Sequence, residues 1–433
     1  LVLNSCSLYK QHKSTASVPD NLYTSAWANG EPNIGQMEWH SLFTDPQLQA
    51  LIETALTNNP DIQTAMLNLQ KAEISYKTSR LAYLPTFAFS PTGSASKNIN
   101  AAGNTWNYNL GVKSSWQLDI FGAGITNAKR SAKAAMKYSE DYKQAVECRL
   151  ISSVAQLYYQ LLGLEKQLLI QQQTLKVYEQ TYESVQVLFE SGQYTSAAVN
   201  QTKAELEAVK VATLQIEESV GCIQREICML LNEPSHELPH GNIDDVRLPD
   251  KVGIGVAADL LKNRPDVRAA ERHMEMAYYD MLINKGNLYP NITISANGSW
   301  GHPETWFIEG IGSLVQPIFQ GGRLRANLKI AKLDQQIALV EFRDAVINAG
   351  YEVENALHSW QLAQKKASHL EEEVNALSKT VMATQELMNN GTSTYLEVLV
   401  SLEKLLAAQN ERVNNQSQQA QALVALYAAL GGR

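Results

Sequence analysis

The chain predicts a mixed fold, membrane-type β-strands joined to very long α-helices, built by internal duplication. Three observations carry this reading. First, the sequence repeats itself: Asn59-Pro60-Asp61-Ile62 returns as Arg264-Pro265-Asp266-Val267, and Leu84-Pro85 as Tyr289-Pro290, both at a shift of 205. Ile120-Phe121 returns as Ile318-Phe319 at 198, and Gly192 as Gly391 at 199. Second, each copy holds two strand-like segments in which polar and apolar residues alternate, less regularly in the last, Trp306 to Phe319, where Glu309 stands among Gly310 and Gly312. Third, each pair is followed by more than 60 residues of proline-free helical pattern. The drop in shift gives the first copy about seven extra residues between its strands, which a hairpin loop would absorb.

Composition narrows the class. A chain of 433 residues could form two or three ordinary domains, yet only 8% is aromatic and 13 residues are proline, as in chains dominated by long helices. The net charge of −8 offers no electrostatic reason to bind nucleic acid or an anionic membrane surface. No run of about 18 apolar residues provides a transmembrane helix, so strands would have to make any bilayer crossing. Cys148, Cys222 and Cys228 lie in helical stretches, without the spacing of a disulfide framework or zinc site. Cys6 follows Leu1-Val2-Leu3-Asn4-Ser5, the pattern that ends a bacterial lipoprotein signal. An acyl chain there would tether the protein without spanning a bilayer; the alternative is an ordinary cysteine near an apolar terminus.

Taken in order, residues 1–40 read as the signal remnant and an extended arm, broken by Pro19, Gly30 and Pro32. The first half, 41–232, opens with a helix over 45–58. Asn59 then caps a second helix, whose first turn holds Pro60 and Asp61 and which ends before Pro85. A strand pair over 85–121, a helix over 125–190, a turn at Ser191-Gly192 and a returning helix complete this half. Residues 233–256, with Pro234, Pro239 and Pro249, form an irregular connector. The second half, 257–433, repeats the plan with a strand pair over 290–320, a helix over 323–389 and a turn at Asn390-Gly391.

Side chains alternate faces along a strand. Trp106, Tyr108, Leu110, Val112, Trp116, Leu118 and Ile120 all occupy even positions, against Asn107, Asn109, Lys113, Ser115, Gln117 and Asp119 at odd ones. In the second copy Ile292, Ile294, Ala296 and Trp300 alternate with Asn291, Thr293, Ser295 and Asn297. The segments reach the roughly 9–11 residues that cross a bilayer at a tilt. Trp106, Trp116, Trp300 and Trp306 lie near segment ends, where interface aromatics collect. A sheet packed on a soluble core would show the same alternation.

The long helices carry apolar residues three and four apart, as in Leu150, Val154, Leu157, Leu161, Leu164 and Leu168. About 66 residues at 1.5 Å each span roughly 100 Å. Gly122 and Gly124 in one half, and Gly321 and Gly322 in the other, suit sharp strand-to-helix junctions. Four strands cannot close a barrel, and open edges are not tolerated in lipid, so several copies would share one wall. Two, three or four copies are equally compatible with the pattern. A barrel that continues into a helical tube is a duct.

At this point the chain resembles the TolC-like outer-membrane efflux proteins, in particular the lipidated branch that serves drug-efflux pumps. The resemblance rests on Trp39 to Pro46, Asn59-Pro60-Asp61-Ile62, Ser115 to Gly122, Gln316 to Arg323 and Tyr351 to Leu357, in that order across both halves. It implies a homotrimer with a 12-stranded barrel in outer-membrane lipid and a 12-helix periplasmic barrel. It implies a lipid anchor on Cys6, and as partners a periplasmic adaptor and an inner-membrane pump, expected to be proton-driven. No cofactor, metal or enzymatic activity is implied. The helix-tip turns Gly192, Thr195, Gly391 and Thr394 become the expected adaptor contact.

The resemblance also places a gate carboxylate at Glu397, where three copies would make a narrow acidic ring favouring cations. The sequence departs from the family here: Val400 replaces the second gate acid, Ala198 stands at the first-half counterpart, and Ser393 replaces a common arginine. Thr394-x-x-Glu397 also reads as a capping box, with Thr394 capping the returning helix and Glu397 reaching back. Other chemistry is poorly supported. Gly122-x-Gly124 lacks the third glycine of a dinucleotide loop, and His236 and His240 have no further metal ligand in view. The expected function is the outer-membrane duct of a tripartite pump, exporting small molecules such as drugs. The alternatives are the duct of a type I protein-secretion system and a soluble periplasmic helical scaffold.

Overall fold

A computed structural model describes residues 33–97, 104–119, 124–249, 251–253, 262–301, 305–390 and 392–432. Cys6, Gly122 and Gly391 lie outside the described residues. The chain forms two compact units. One holds the described residues within Ala65–Lys143 and Asp266–Ala345, the other those within Val18–Thr64, Gln144–Pro265 and Val346–Arg433. Each unit therefore combines equivalent stretches of both sequence halves. A long helix cannot bury its own apolar stripe, so its partners come from the repeat.

The first unit contains most of helix α3 (Pro60–Leu81), then β1 (Thr86–Lys97), β2 (Asn104–Leu118) and the start of α4 (Ile125–Glu190). From the second half come α6 (Pro265–Gly286), β3 (Asn291–Gly301), β4 (Thr305–Val315) and the start of α7 (Arg323–Asn389). The four strands form one antiparallel sheet in the order β1-β2-β3-β4. Two expectations are corrected. The extra length of the first hairpin is not confined to its loop: β1 and β2 have 12 and 15 residues against 11 and 11, so part of it extends the ladder. The last strand ends at Val315 rather than near residue 320, because Pro317 has no N–H to donate. Helix α6 is tied to α4 by Asp141, whose carboxylate accepts from Arg268 Nε at 2.8 Å and lies 3.7 Å from Arg272 Nε.

The second unit contains α1 (Trp39–Leu42), α2 (Pro46–Asn58), α5 (Ser196–Leu231), α8 (Tyr395–Ala429) and the remainder of α4 and α7. The end of the expected extended arm is folded: Ile34–Gln36 make a 3-10 turn, and Ile34 and Trp39 are buried. Their apolar side chains gain more from burial than an exposed arm would. Along α4 the buried stripe is wider than the leucine spacing suggests. Ile151, Ala155, Tyr158 and Leu162 are buried, whereas Leu157, Leu164 and Leu168 are only half-buried. Helix α4 is enclosed here from several sides.

The connector packs onto this stretch. Tyr158 donates to Asp45 Oδ2 at 2.5 Å and accepts from the Gly241 N–H at 3.0 Å, while Asp45 Oδ1 caps α2 through Gln47 N. Burial and the adjacent Asp45 carboxylate push the Tyr158 phenol well above its ordinary pKa. Lys166 Nζ holds Asp244 at 2.6 Å, and His240 Nε2 lies 3.5 Å from Glu165.

The two halves close their hairpins alike. Asn59 Nδ2 donates to the Leu230 carbonyl at 2.9 Å, and its counterpart Arg264 donates through Nη1 to the Ala429 carbonyl at 3.1 Å. The left-handed residues that end the returning helices, Asn232 at φ 56° and Gly431 at φ 84°, also correspond.

Candidate functional site

The sheet has two unlike faces, and register sets them. Trp116 pairs with Ile294, Leu118 with Ile292, and Leu110 with Trp300, so the even residues of β2 and β3 share one side. Phe87 and Phe89 join it from β1, and Trp306, Ile308 and Leu314 from β4. Trp106 is 69% exposed and Trp306 78%; Tyr108, Val112 and Ile294 are exposed as well. These indoles do not sit in a protein core. The Trp116 N–H finds a partner in the Tyr83 carbonyl at 2.9 Å. The opposite face carries Thr86, Ser90, Asn109, Lys113, Ser115, Gln117, Thr293, Ser295, Asn297 and Glu309. Strand β4 breaks the rule, adding Phe307, Ile311 and Val315 to this polar side.

The two strand-to-helix junctions are built differently. Before α4, the Asp119 carboxylate accepts from Gly124 N at 3.1 Å and Thr126 N at 2.7 Å, capping the helix and complementing its dipole. Before α7, Gly321 and Gly322 turn the chain at φ 59° and 80°, a conformation glycine adopts without strain. Asp119 escaped notice because it continues the polar alternation of β2. An aspartate just ahead of a glycine-rich run was the available signal.

The helix tips are close copies. The Leu188 carbonyl accepts from Gln193 N at 2.9 Å and Tyr194 N at 3.3 Å; the Leu387 carbonyl accepts from Thr392 N and Ser393 N at the same two distances. Gly192 has φ 76°. Thr195 caps α5 by accepting from Ala198 N at 3.4 Å. Thr394 occupies the same position ahead of α8 but makes no side-chain cap bond, which corrects the capping-box reading. The Glu397 carboxylate instead accepts from Ser393 Oγ, whose position one residue earlier lets it reach the first turn. Glu397, Thr195 and Thr394 are all exposed.

Within the chain the two tips touch. The Tyr194 and Tyr395 rings meet edge to face at 5.4 Å, and the Tyr395 hydroxyl donates to Gln201 Oε1 at 3.3 Å. Behind them Tyr178, Leu206, Val209, Val381, Val398, Leu399 and Leu402 form a buried cluster from all four long helices. Sequence reading missed Ser393 as a partner of Glu397, and both tip tyrosines. His236 and His240 have separate polar neighbours: Nδ1 of the first lies 3.0 Å from the Pro234 carbonyl, and Nδ1 of the second 3.2 Å from that of Gly241. Among the described residues no helix is long and apolar enough to cross a membrane.

Known proteins share this arrangement. A profile of the outer membrane efflux protein family matches residues 51–232 and 256–432. The chain is 27% identical to the pyoverdine export outer membrane protein OpmQ of Pseudomonas putida, over 95% of this chain and 91% of that protein. It is 27% identical to the cation efflux system protein CusC of Escherichia coli K12, over 100% and 97%. The open-state crystal structure of the Neisseria gonorrhoeae MtrE outer membrane channel superposes with a TM-score of 0.86 at 27% identity, covering 98% of this chain and 97% of that one.

Proposed function

The chain belongs to the outer membrane efflux protein family and is an outer-membrane efflux channel; from that premise we propose that three copies close one 12-stranded β-barrel, continued by a 12-helix periplasmic barrel. The observation that carries this is the sheet itself. It presents one continuous apolar face, and its outer strands β1 and β4 each have a single neighbour among the described residues. In lipid such edges must pair. Strand directions alternate across the sheet, so β4 of one copy meets β1 of the next antiparallel, as closure requires. The helices support the same closure. Leu67, Ile74 and Leu81 on α3, and Ile330, Leu333, Ile337 and Val340 on α7, are exposed at helical spacings suited to neighbouring helices.

In this reading the Trp106 face meets lipid and the Lys113 face lines the passage. The duct is passive. An inner-membrane pump, proton-driven, supplies the energy, and a periplasmic adaptor docks at Gly192, Thr195, Gly391 and Thr394. Cargo is small molecules such as drugs, with loose selectivity. The relatives' names support that breadth, since one exports pyoverdine and another cations. Glu397 gates the tips as an acidic ring. Cys6 carries the acyl anchor, on the strength of the residues before it, and the mass of its peptide tests this.

The barrel is tested by cysteines placed singly on β1 at Thr92 and on β4 along positions 308–313, combined in pairs and oxidised in native membranes. The expected result is a covalent ladder ending at three copies. A ladder ending elsewhere changes the count, and no ladder from any pair removes the shared barrel.

A further inference from the structure

The four strands contain three charged residues, Lys97, Lys113 and Glu309. Two of them fall on one row. Lys113 pairs with Asn297, Asn297 pairs with Glu309, and Ala88 completes the row on β1. All four residues lie on the polar face. Ala88, Lys113 and Glu309 are exposed, while Asn297 Oδ1 is buried without a hydrogen-bond partner. Two inter-strand spacings of about 4.8 Å put the charged positions about 10 Å apart.

We propose that this row is a dipolar specificity girdle of the strand-lined passage. It rests on the three-copy barrel above. In strand order around the barrel each copy contributes Ala88, Lys113, Asn297 and Glu309. Because strands in a closed barrel tilt and stagger, three-fold symmetry sets the three lysines at one level of the passage and the three glutamates at an adjacent one. From Lys113 to Glu309 is two strand steps, and from Glu309 to the next copy's lysine is two again. Cation and anion therefore alternate at every second strand, and the girdle has no net charge. Such a girdle does not sort solutes by the sign of their charge. It favours solutes that carry both signs, or a large dipole, and turns them so that their positive end faces Glu309 and their negative end Lys113. This differs from the acidic ring at Glu397, where one sign would dominate. The exposed Phe307 and Ile311 flank Glu309 on the same face, adding apolar surface for the uncharged part of such a solute.

The test uses the full chain in the outer membrane of intact cells, with a cysteine as local voltmeter. Asn297→Cys sits between the two charges, and Ala88→Cys is a second reporter should the first variant fail to reach the membrane. Membrane-impermeant thiol reagents of equal size and opposite charge are applied from outside, and labelling is read peptide by peptide by mass spectrometry. Lys113→Gln should lower the anionic-to-cationic rate ratio at the reporter about fivefold, and Glu309→Gln should raise it about fivefold. The double variant should return the ratio close to its starting value. Measurable labelling with ratios unmoved by either substitution overturns the girdle while leaving the barrel standing. Reporters that react with neither reagent, in protein that reaches the membrane, overturn the lumen assignment and the barrel reading with it.

Discussion

Tyr178 links the packing of the helix tips to pH. Its ring lies in the buried cluster with Leu206, Val381 and Val398. Burial first, and then the charges of Glu205 and Glu403, push its phenol from 10.0 up to about 12. The folded state therefore favours the neutral phenol. Below pH 10 the group is protonated whether the chain is folded or not, and its contribution is fully present. Between pH 10 and about 12 the unfolded chain releases the proton while the folded chain keeps it, so stability falls as pH rises. Tyr158 and Tyr159 are raised in the same direction, chiefly by burial. Tyr178→Phe should leave the melting temperature near pH 8 little changed and flatten part of its decline between pH 10 and 12. Circular dichroism melts in detergent check this; a decline of equal steepness in the variant would exclude Tyr178 as a contributor. At this scale the sequence made Glu397 and the polar-face Lys113 visible, since each stands in a recognisable local pattern. It concealed the Ser393 bond to Glu397 and the Tyr194–Tyr395 contact, because a turn and two separate hairpins have to fold before those groups meet.

The helices and strands were legible to different depths. Helices α4 and α7 occupy 66 and 67 residues without a proline, and their limits fall where glycine-rich junctions and tip turns stand in the sequence. What periodicity could not give was how many neighbours each helix has, which is why the buried stripe on α4 is broader than its leucine pattern. Gly163 marks one such neighbour. A Cβ there would stand 3.0 Å from Ser417 Cβ, and Ser417 Oγ donates to the Tyr159 carbonyl at 2.9 Å. Gly163→Val should force α4 and α8 apart and cost about 1–3 kcal/mol, read as a lower melting temperature. Gly163→Ala should cost less, because alanine regains up to about 1 kcal/mol of helix preference. A valine variant as stable as the parent would mean that the helices separate freely here. Strand β4 is the counterexample to simple alternation: Trp306, Ile308 and Leu314 sit on one face and Phe307, Ile311 and Val315 on the other. An edge strand with apolar residues on both sides cannot be oriented from composition, and only pairing with β3 assigns its faces.

At the scale of the whole molecule the question is what the tips do. Glu397 is exposed on the first turn of α8, beside Ser393, and Val398 and Leu399 behind it are buried. If three copies bring their carboxylates into one ring, Glu397→Gln should reduce cation preference severalfold, measured as a shift in reversal potential across planar bilayers under a salt gradient. A change confined to melting temperature would reduce Glu397 to a local partner of its turn. The amino-acid sequence by itself determined the duplication, the lengths of the helices, and the wet and dry sides of β2 and β3. Those properties follow from backbone geometry, which ties side-chain direction to position in the chain at a fixed period. Tertiary structure decided everything that depends on which segments meet. It set the register that aligns Lys113, Asn297 and Glu309, left β1 and β4 as the outer strands, and clamped Leu230 and Ala429 with two different residues, Asn59 and Arg264. A period repeats at every turn or pleat and can be read locally, whereas a pairing is chosen once, by competition among all the surfaces the chain could bury.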